Sequence, residues 1–154
     1  MHVIEPLGVP HTEADPVLVD GESVDFAYRV RDGDRVAAYP RFESLDVASV
    51  SRVRPEPLPE PRFVLDAHLG KLATYLRMLG FDVLYWNDVA DETLAGIAAE
   101  KSRVLLTREL GLLERSAVTH GYLVRESDPE RQIAEVFDRF ELLDAAAPFR
   151  RCDR

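Results

Sequence analysis

From Arg62 onward the chain alternates between two hydrophobic patterns. Short apolar runs, RFVLD, FDVLYW, RVLLT and GYLVR, read as strands. Between them apolar residues recur at helical spacing. LGKLATYLRMLG puts Leu69, Leu72, Tyr75, Leu76 and Leu79 on one face and ends at Gly80, a natural helix stop. DETLAGIAAEKS, a shorter RELGLLERSAV and the amphipathic DPERQIAEVFDRF complete the series. Strands that alternate with helices predict right-handed crossovers and a parallel sheet covered on both faces. Ligands of such sheets bind outside the carboxyl ends of the strands, near a switch in strand order.

The first third of the chain follows another pattern. PVLVDGESVDF has two apolar runs around Asp20-Gly21, and YRVRDGDRVAAYP sets a second Asp-Gly turn before an alternating strand, so this piece is mainly β. It gathers no reactive groups and reads as a small packing or docking module for a protein partner. SLDVASVSRVRPEPLPEP then loses apolar periodicity and gains four prolines, which remove backbone donors and favour unpaired chain. The expected organisation is a module over 1–43, a proline-rich linker over 44–61 and an α/β domain over 62–152.

Composition narrows the functional classes. With 46% hydrophobic residues in 154, the chain can bury a real core. No apolar run is long enough to span a bilayer, and MHVIEPLGVP lacks the basic flank of a signal peptide, so the expected setting is cytoplasmic with no membrane contact. The single Cys152 permits neither an internal disulfide nor a zinc site. A net charge of −9 argues against a broadly basic surface that holds nucleic acid by phosphate contacts alone. The imbalance is uneven: residues 1–61 carry twelve acids against six bases, residues 62–154 sixteen against thirteen.

The acids fall at informative places. Asp66 ends the first strand of the second pattern, Asp88, Asp91 and Glu92 follow the next, and Glu109 follows RVLLT through Thr107 and Arg108. Singly, each has a structural explanation: Asp66 precedes a helix, Asp88 or Asp91 can cap the next, and Glu109 sits in the first turn of a third. Parallel strands share one carboxyl edge, however, and clustered carboxylates repel unless a hard cation such as Mg²⁺ or Mn²⁺ neutralises them. Taken together the set reads as a metal site. Were Asp66 a ligand, Asp66→Asn would relieve repulsion and leave the metal-free fold at least as stable. Lys71 and Arg108 read equally as solvated charge or as phosphate contacts. His68 reads as solvent-facing or as a helix cap and His120 as part of the turn before the fourth strand; neither reads as a ligand. Trp86, Tyr85 and Tyr75 read as core packing ahead of base stacking.

FVLDAHLGKLATYLRMLGFDVLYWND, followed by DETL, RVLLTRELGLL and VTHGYLVR, resembles the Mut-seven C-terminal RNase domain family, a branch of the PIN-like nucleases, over about residues 62–152. The resemblance implies a PIN-like α/β fold and metal-dependent cleavage of RNA. By position it implies catalytic and metal-binding acids at Asp66, at Asp88 or Asp91, and at Glu109, with Lys71, Arg108 and Thr107 toward the substrate. The family usually carries Asp where this chain has Glu109. Its members commonly continue into a cysteine-rich zinc ribbon, which a lone Cys152 cannot rebuild.

VLVDGESVDFAYRVRDGDRVAAYP resembles the later part of a ubiquitin-like β-grasp module, with the first hairpin expected to be missing. Related sulfur carriers need a terminal Gly-Gly; here the strand ends Tyr39, Pro40, Arg41, Phe42, so carrier chemistry is not expected. The rival to a ribonuclease is a non-catalytic RNA- or protein-binding module on the same fold. A phosphoacceptor receiver domain ranks below both, because it needs an acid pair at the first strand and an Asp ending the third.

Overall fold

The computed structural model describes residues 4–40, 51–53 and 60–148. Most of the expected linker, together with Arg41, Phe42 and Cys152, lies outside the described residues. The chain forms two compact units, Met1–Leu58 and Pro59–Arg154.

In the first unit β1 (Ala14–Val19) and β2 (Glu22–Val24) form an antiparallel hairpin. Its two turn residues, Asp20 and Gly21, have φ of 50° and 88°, the positive pair that matches strand twist in a two-residue hairpin. β3 (Val36–Pro40) pairs antiparallel with the other side of β1, giving the order β2-β1-β3. Ile4, Ala14 and Val17 form its buried centre, flanked by Val24, Phe26, Val36 and Val53.

The second unit is a four-stranded parallel sheet built from β4 (Arg62–Leu65), β5 (Asp82–Tyr85), β6 (Val104–Thr107) and β7 (Gly121–Leu123). The order is β5-β4-β6-β7, with every pairing parallel. Helices α1 (Gly70–Met78), α2 (Asp91–Glu100), α3 (Leu110–Leu113) and α4 (Pro129–Phe140) alternate with and follow the strands, as the periodicity requires. Strand alternation divides the core. Val64 and Leu105 join Leu94, Ala95, Ala98, Leu112 and Leu113 on the α2/α3 side. Phe63 turns the other way, edge-on to Phe81 and Phe140.

The third helix is shorter than RELGLLERSAV predicts. A turn, closed by the Val118 N–H on the Arg115 carbonyl at 2.9 Å, brings Val118 fully into the core. Burial of one valine outweighs continuation of an exposed, glycine-containing helix. Arg103 clamps the amino edge of the sheet through Nη1, which donates to the Phe63 carbonyl and to Asp82. β4 is central, and the chain steps from it first to one side and later to the other. Its carboxyl end is therefore the switch point of the sheet. Among the described residues no helix is long and apolar enough to cross a membrane.

Candidate active site at the carboxyl edge

Asp66 is the first residue past β4. Its N–H continues the ladder to the Leu106 carbonyl at 3.2 Å, so it stands level with Thr107 at the end of β6. The side chain is 5% exposed, so burial demands partners for its carboxylate. Three donors meet that demand. Oδ1 accepts the His68 N–H at 2.8 Å. Oδ2 accepts the Arg108 N–H at 3.0 Å and the Thr107 hydroxyl. The first of these bonds caps a single 3₁₀ turn over Ala67–Leu69, and the other two reach across from the neighbouring strand.

Thr107 passes the order on. Its Oγ1 accepts the Glu109 N–H at 2.9 Å, which links the two acids through one buried hydroxyl. Thr107 is completely buried against the Asp66 carboxylate, whereas Lys71, Arg108 and Glu109 are each exposed. The Glu109 side chain makes no cap to α3. Oε1 instead lies 3.1 Å from His68 Nε2, an exposed pair that closes a loop from Asp66 through His68, Glu109 and Thr107. His68 is solvent-facing, as one of its two expected readings has it, but its contact with Glu109 is not an expectation of the sequence. The signal that finds it is its place two residues after a strand-terminal acid, where a 3₁₀ turn folds the chain back toward the next strand.

The remaining acids lie on the β5–α2 connection. Asp88 is exposed, and Asp91 opens α2. Neither caps that helix: its N-cap is Ala90, without a side-chain bond. Asp91 instead lies 4.0 Å from Arg115. Of the acids explained singly as caps, only Asp66 is one. All four follow strands of one parallel sheet and so belong to its carboxyl edge, but among the described residues no group of three or more His, Cys, Asp or Glu side chains is placed to hold a metal ion. An open hollow of about 740 Å³, lined by Arg62, Phe81, Asp82 and Ala147 among others, lies at the opposite edge and has no part in this arrangement.

The aromatics separate. Tyr75 is half-buried on α1. Tyr85 turns toward α1: its hydroxyl lies 3.1 Å from the Ala67 carbonyl and 2.6 Å from Asn87 Oδ1. A Cβ on Gly70 would come within 2.7 Å of that hydroxyl, so the glycine admits the ring. Trp86 is 40% exposed, against the expectation of core packing.

A four-stranded parallel sheet flanked by helices, with a buried, triply held carboxylate at the end of its central strand and further acids on the same edge, defines an α/β domain. The chain belongs to the Mut7-C RNAse domain family, whose model matches residues 61–154 and marks this part as a nuclease-type domain. Residues 1–46 match the model described as Mut7-C ubiquitin. No curated protein and no solved structure matches the chain.

Proposed function

We propose that residues 61–154 hydrolyse RNA phosphodiester bonds at the carboxyl edge of the sheet, with Mg²⁺ or Mn²⁺ held by Asp66 and Glu109 together with Asp88 or Asp91. The observation that carries this reading is the cage around Asp66. Its three donors fix both oxygens yet use only part of a carboxylate's roughly four acceptor positions, leaving one on Oδ1.

These residues fit a hard, water-rich ion. They offer carboxylate oxygens, and Mg²⁺ keeps several waters while taking one or two carboxylates and substrate phosphate oxygens in place of an all-protein cage. Since no three such side chains are placed together among the described residues, the ion would rest on one or two of these carboxylates at a time, with waters and substrate phosphate oxygens completing its shell. When bound, such an ion lowers the pKa of a coordinated water and offsets charge developing on the phosphate. The protein's own contribution is orientation. Thr107 and the Arg108 N–H hold Asp66 in place, while exposed Lys71 and the Arg108 guanidinium are available to phosphate oxygens. To the first unit, with its hairpin and no gathered reactive groups, we assign docking to a protein partner.

A second reading, a non-catalytic RNA- or protein-binding module, draws support from the engagement of Glu109 by His68. Incubation of the full chain with mixed single-stranded RNAs in Mg²⁺, in Mn²⁺ and in chelator separates the two. The expected result is cleavage that stops in chelator and returns with added Mn²⁺. Cleavage that persists in chelator overturns the metal-dependent mechanism, and RNA retention without cleavage under any condition establishes the second reading.

A further inference from the structure

We infer that Trp86 is a stacking platform for an unpaired base of the RNA substrate, one strand away from Asp66. The inference rests on the nuclease reading above and adds to it a binding residue for an unpaired base.

Register places the indole. Leu65 of β4 pairs with Tyr85 of β5, so the residues that follow them, Asp66 and Trp86, leave the sheet side by side, about one strand spacing of 4.8 Å apart at the backbone. Asp66 turns inward and is buried, while Trp86 is 40% exposed. The neighbours of Trp86 are fixed: the 2.6 Å bond between the Tyr85 hydroxyl and Asn87 Oδ1 spans residue 86, and the Tyr85 hydroxyl also reaches Ala67, the residue after Asp66. These bonds anchor the side chains on either side of residue 86, and the exposed part of the indole is open to a stacking partner.

Charge selects the occupant. The chain carries a net charge of −9, and residues 62–154 alone hold sixteen acids against thirteen bases, so phosphate contacts supply little of the affinity. Stacking on an aromatic face is independent of charge and tolerant of sequence, and it supplies the missing part. It also requires an open base face, which a duplex occupies with its own stacking. Lys71 and Arg108, exposed on the same edge, remain for the backbone.

Trp86 is the only tryptophan in the chain, so its emission reports this contact directly. The full-length protein is titrated in chelator and in Mg²⁺ with a short single-stranded oligoribonucleotide and with a duplex of the same sequence. Labelled RNA gives affinities for the variants by anisotropy. The expected result is quenching by the single strand and none by the duplex, about tenfold or greater loss of affinity in Trp86→Ala, and near-complete retention in Trp86→Phe. Circular dichroism melts confirm that the variants fold. Unchanged affinity in Trp86→Ala, or equal quenching by duplex, overturns the inference. Emission that shifts with protein concentration in the absence of RNA marks the face as a contact between copies and overturns it equally. The two readings fail separately: a wild type that cleaves no RNA fails the nuclease reading, whereas a Trp86→Ala variant that cleaves and binds like the wild type fails only this one.

Discussion

Thr107 donates a hydrogen bond from its hydroxyl to the Asp66 carboxylate and thereby ties the end of β6 to the end of β4. The same oxygen accepts the Glu109 N–H at 2.9 Å, so one atom positions both acids. Thr107→Val keeps shape and removes both bonds inside a fully buried setting. It should destabilise the fold by about 1–3 kcal/mol, the cost of leaving a buried polar group short of a partner. Thr107→Ser keeps the hydroxyl and should recover most of that loss and of any RNA cleavage. Urea denaturation beside a cleavage assay checks this. A Val variant as stable and active as the wild type means that the Thr107 hydroxyl does not hold the two acids.

The cage also changes what Asp66→Asn should do. Read as one of several crowded acids, Asp66 gains from neutralisation; held by three donors, it loses. An amide offers one oxygen and one NH₂, so either the His68 N–H or the Arg108 N–H must face another donor. The expected result is a metal-free variant about 1–3 kcal/mol less stable than the wild type. Assayed well below its melting temperature, it should cleave RNA at least about a hundredfold more slowly, the order seen when a main electrostatic contributor is removed. Addition of Mn²⁺ should raise the melting temperature of the wild type and not of the variant. Equal Mn²⁺ shifts in both exclude Asp66 as a ligand.

Why the strands and the shared edge were legible, and the contacts between acids were not, follows from periodicity. Strands covered on both faces must be nearly continuous apolar runs, and Phe63, Val64 and Leu65 are each fully buried. Parallel pairing then fixes Asp66, Asp88, Asp91 and Glu109 to one edge without any knowledge of side chains. His68 reaches Glu109 only through the 3₁₀ turn over Ala67–Leu69, too short to write a period into the sequence. Tyr85 and Trp86 are adjacent and chemically alike, yet one is tied to Ala67 and Asn87 and the other open to solvent. Which of two neighbouring aromatics a strand end exposes depends on packing at Gly70, a contact between elements.

Two glycines should respond oppositely to alanine. Gly80, in the turn from α1 to β5, has φ of +94°, and a Cβ there would lie 2.2 Å from the Ala147 carbonyl oxygen. That backbone cannot step aside cheaply, because the Ala147 N–H donates to the Leu79 carbonyl at 2.9 Å. Gly80→Ala should destabilise by at least about 2 kcal/mol, combining left-handed strain with the clash. Gly96 lies inside α2 with nothing within 4 Å of an added Cβ. Gly96→Ala should stabilise by about 0.8–1 kcal/mol, the difference in helix propensity. Opposite shifts of the urea midpoint are expected, and equal signs contradict the described turn.

Alkaline pH isolates one further contact. Tyr122 donates its hydroxyl to Glu135 Oε1 at 3.0 Å, and the same carboxylate accepts the N–H groups of Arg125 and Glu126, which fastens the segment after β7 to α4. Burial first, then the Glu135 charge and its hydrogen bond, raise the Tyr122 pKa above its ordinary value of 10.0. A group whose folded pKa is raised contributes stability that is complete below its unfolded pKa and is lost as the pH climbs through the folded value. Tyr122→Phe should therefore be less stable than the wild type at neutral pH, by about 1–3 kcal/mol for a bond to a charged acceptor. As the pH climbs above about 10, the ordinary tyrosine value, the wild type progressively loses that advantage while this position in the variant does not titrate, so the gap between the two stabilities narrows. Thermal melts of both proteins across that range measure the gap. A gap that stays constant to pH 11 means that Tyr122 does not titrate against Glu135, and the fastening of β7 to α4 then has another source.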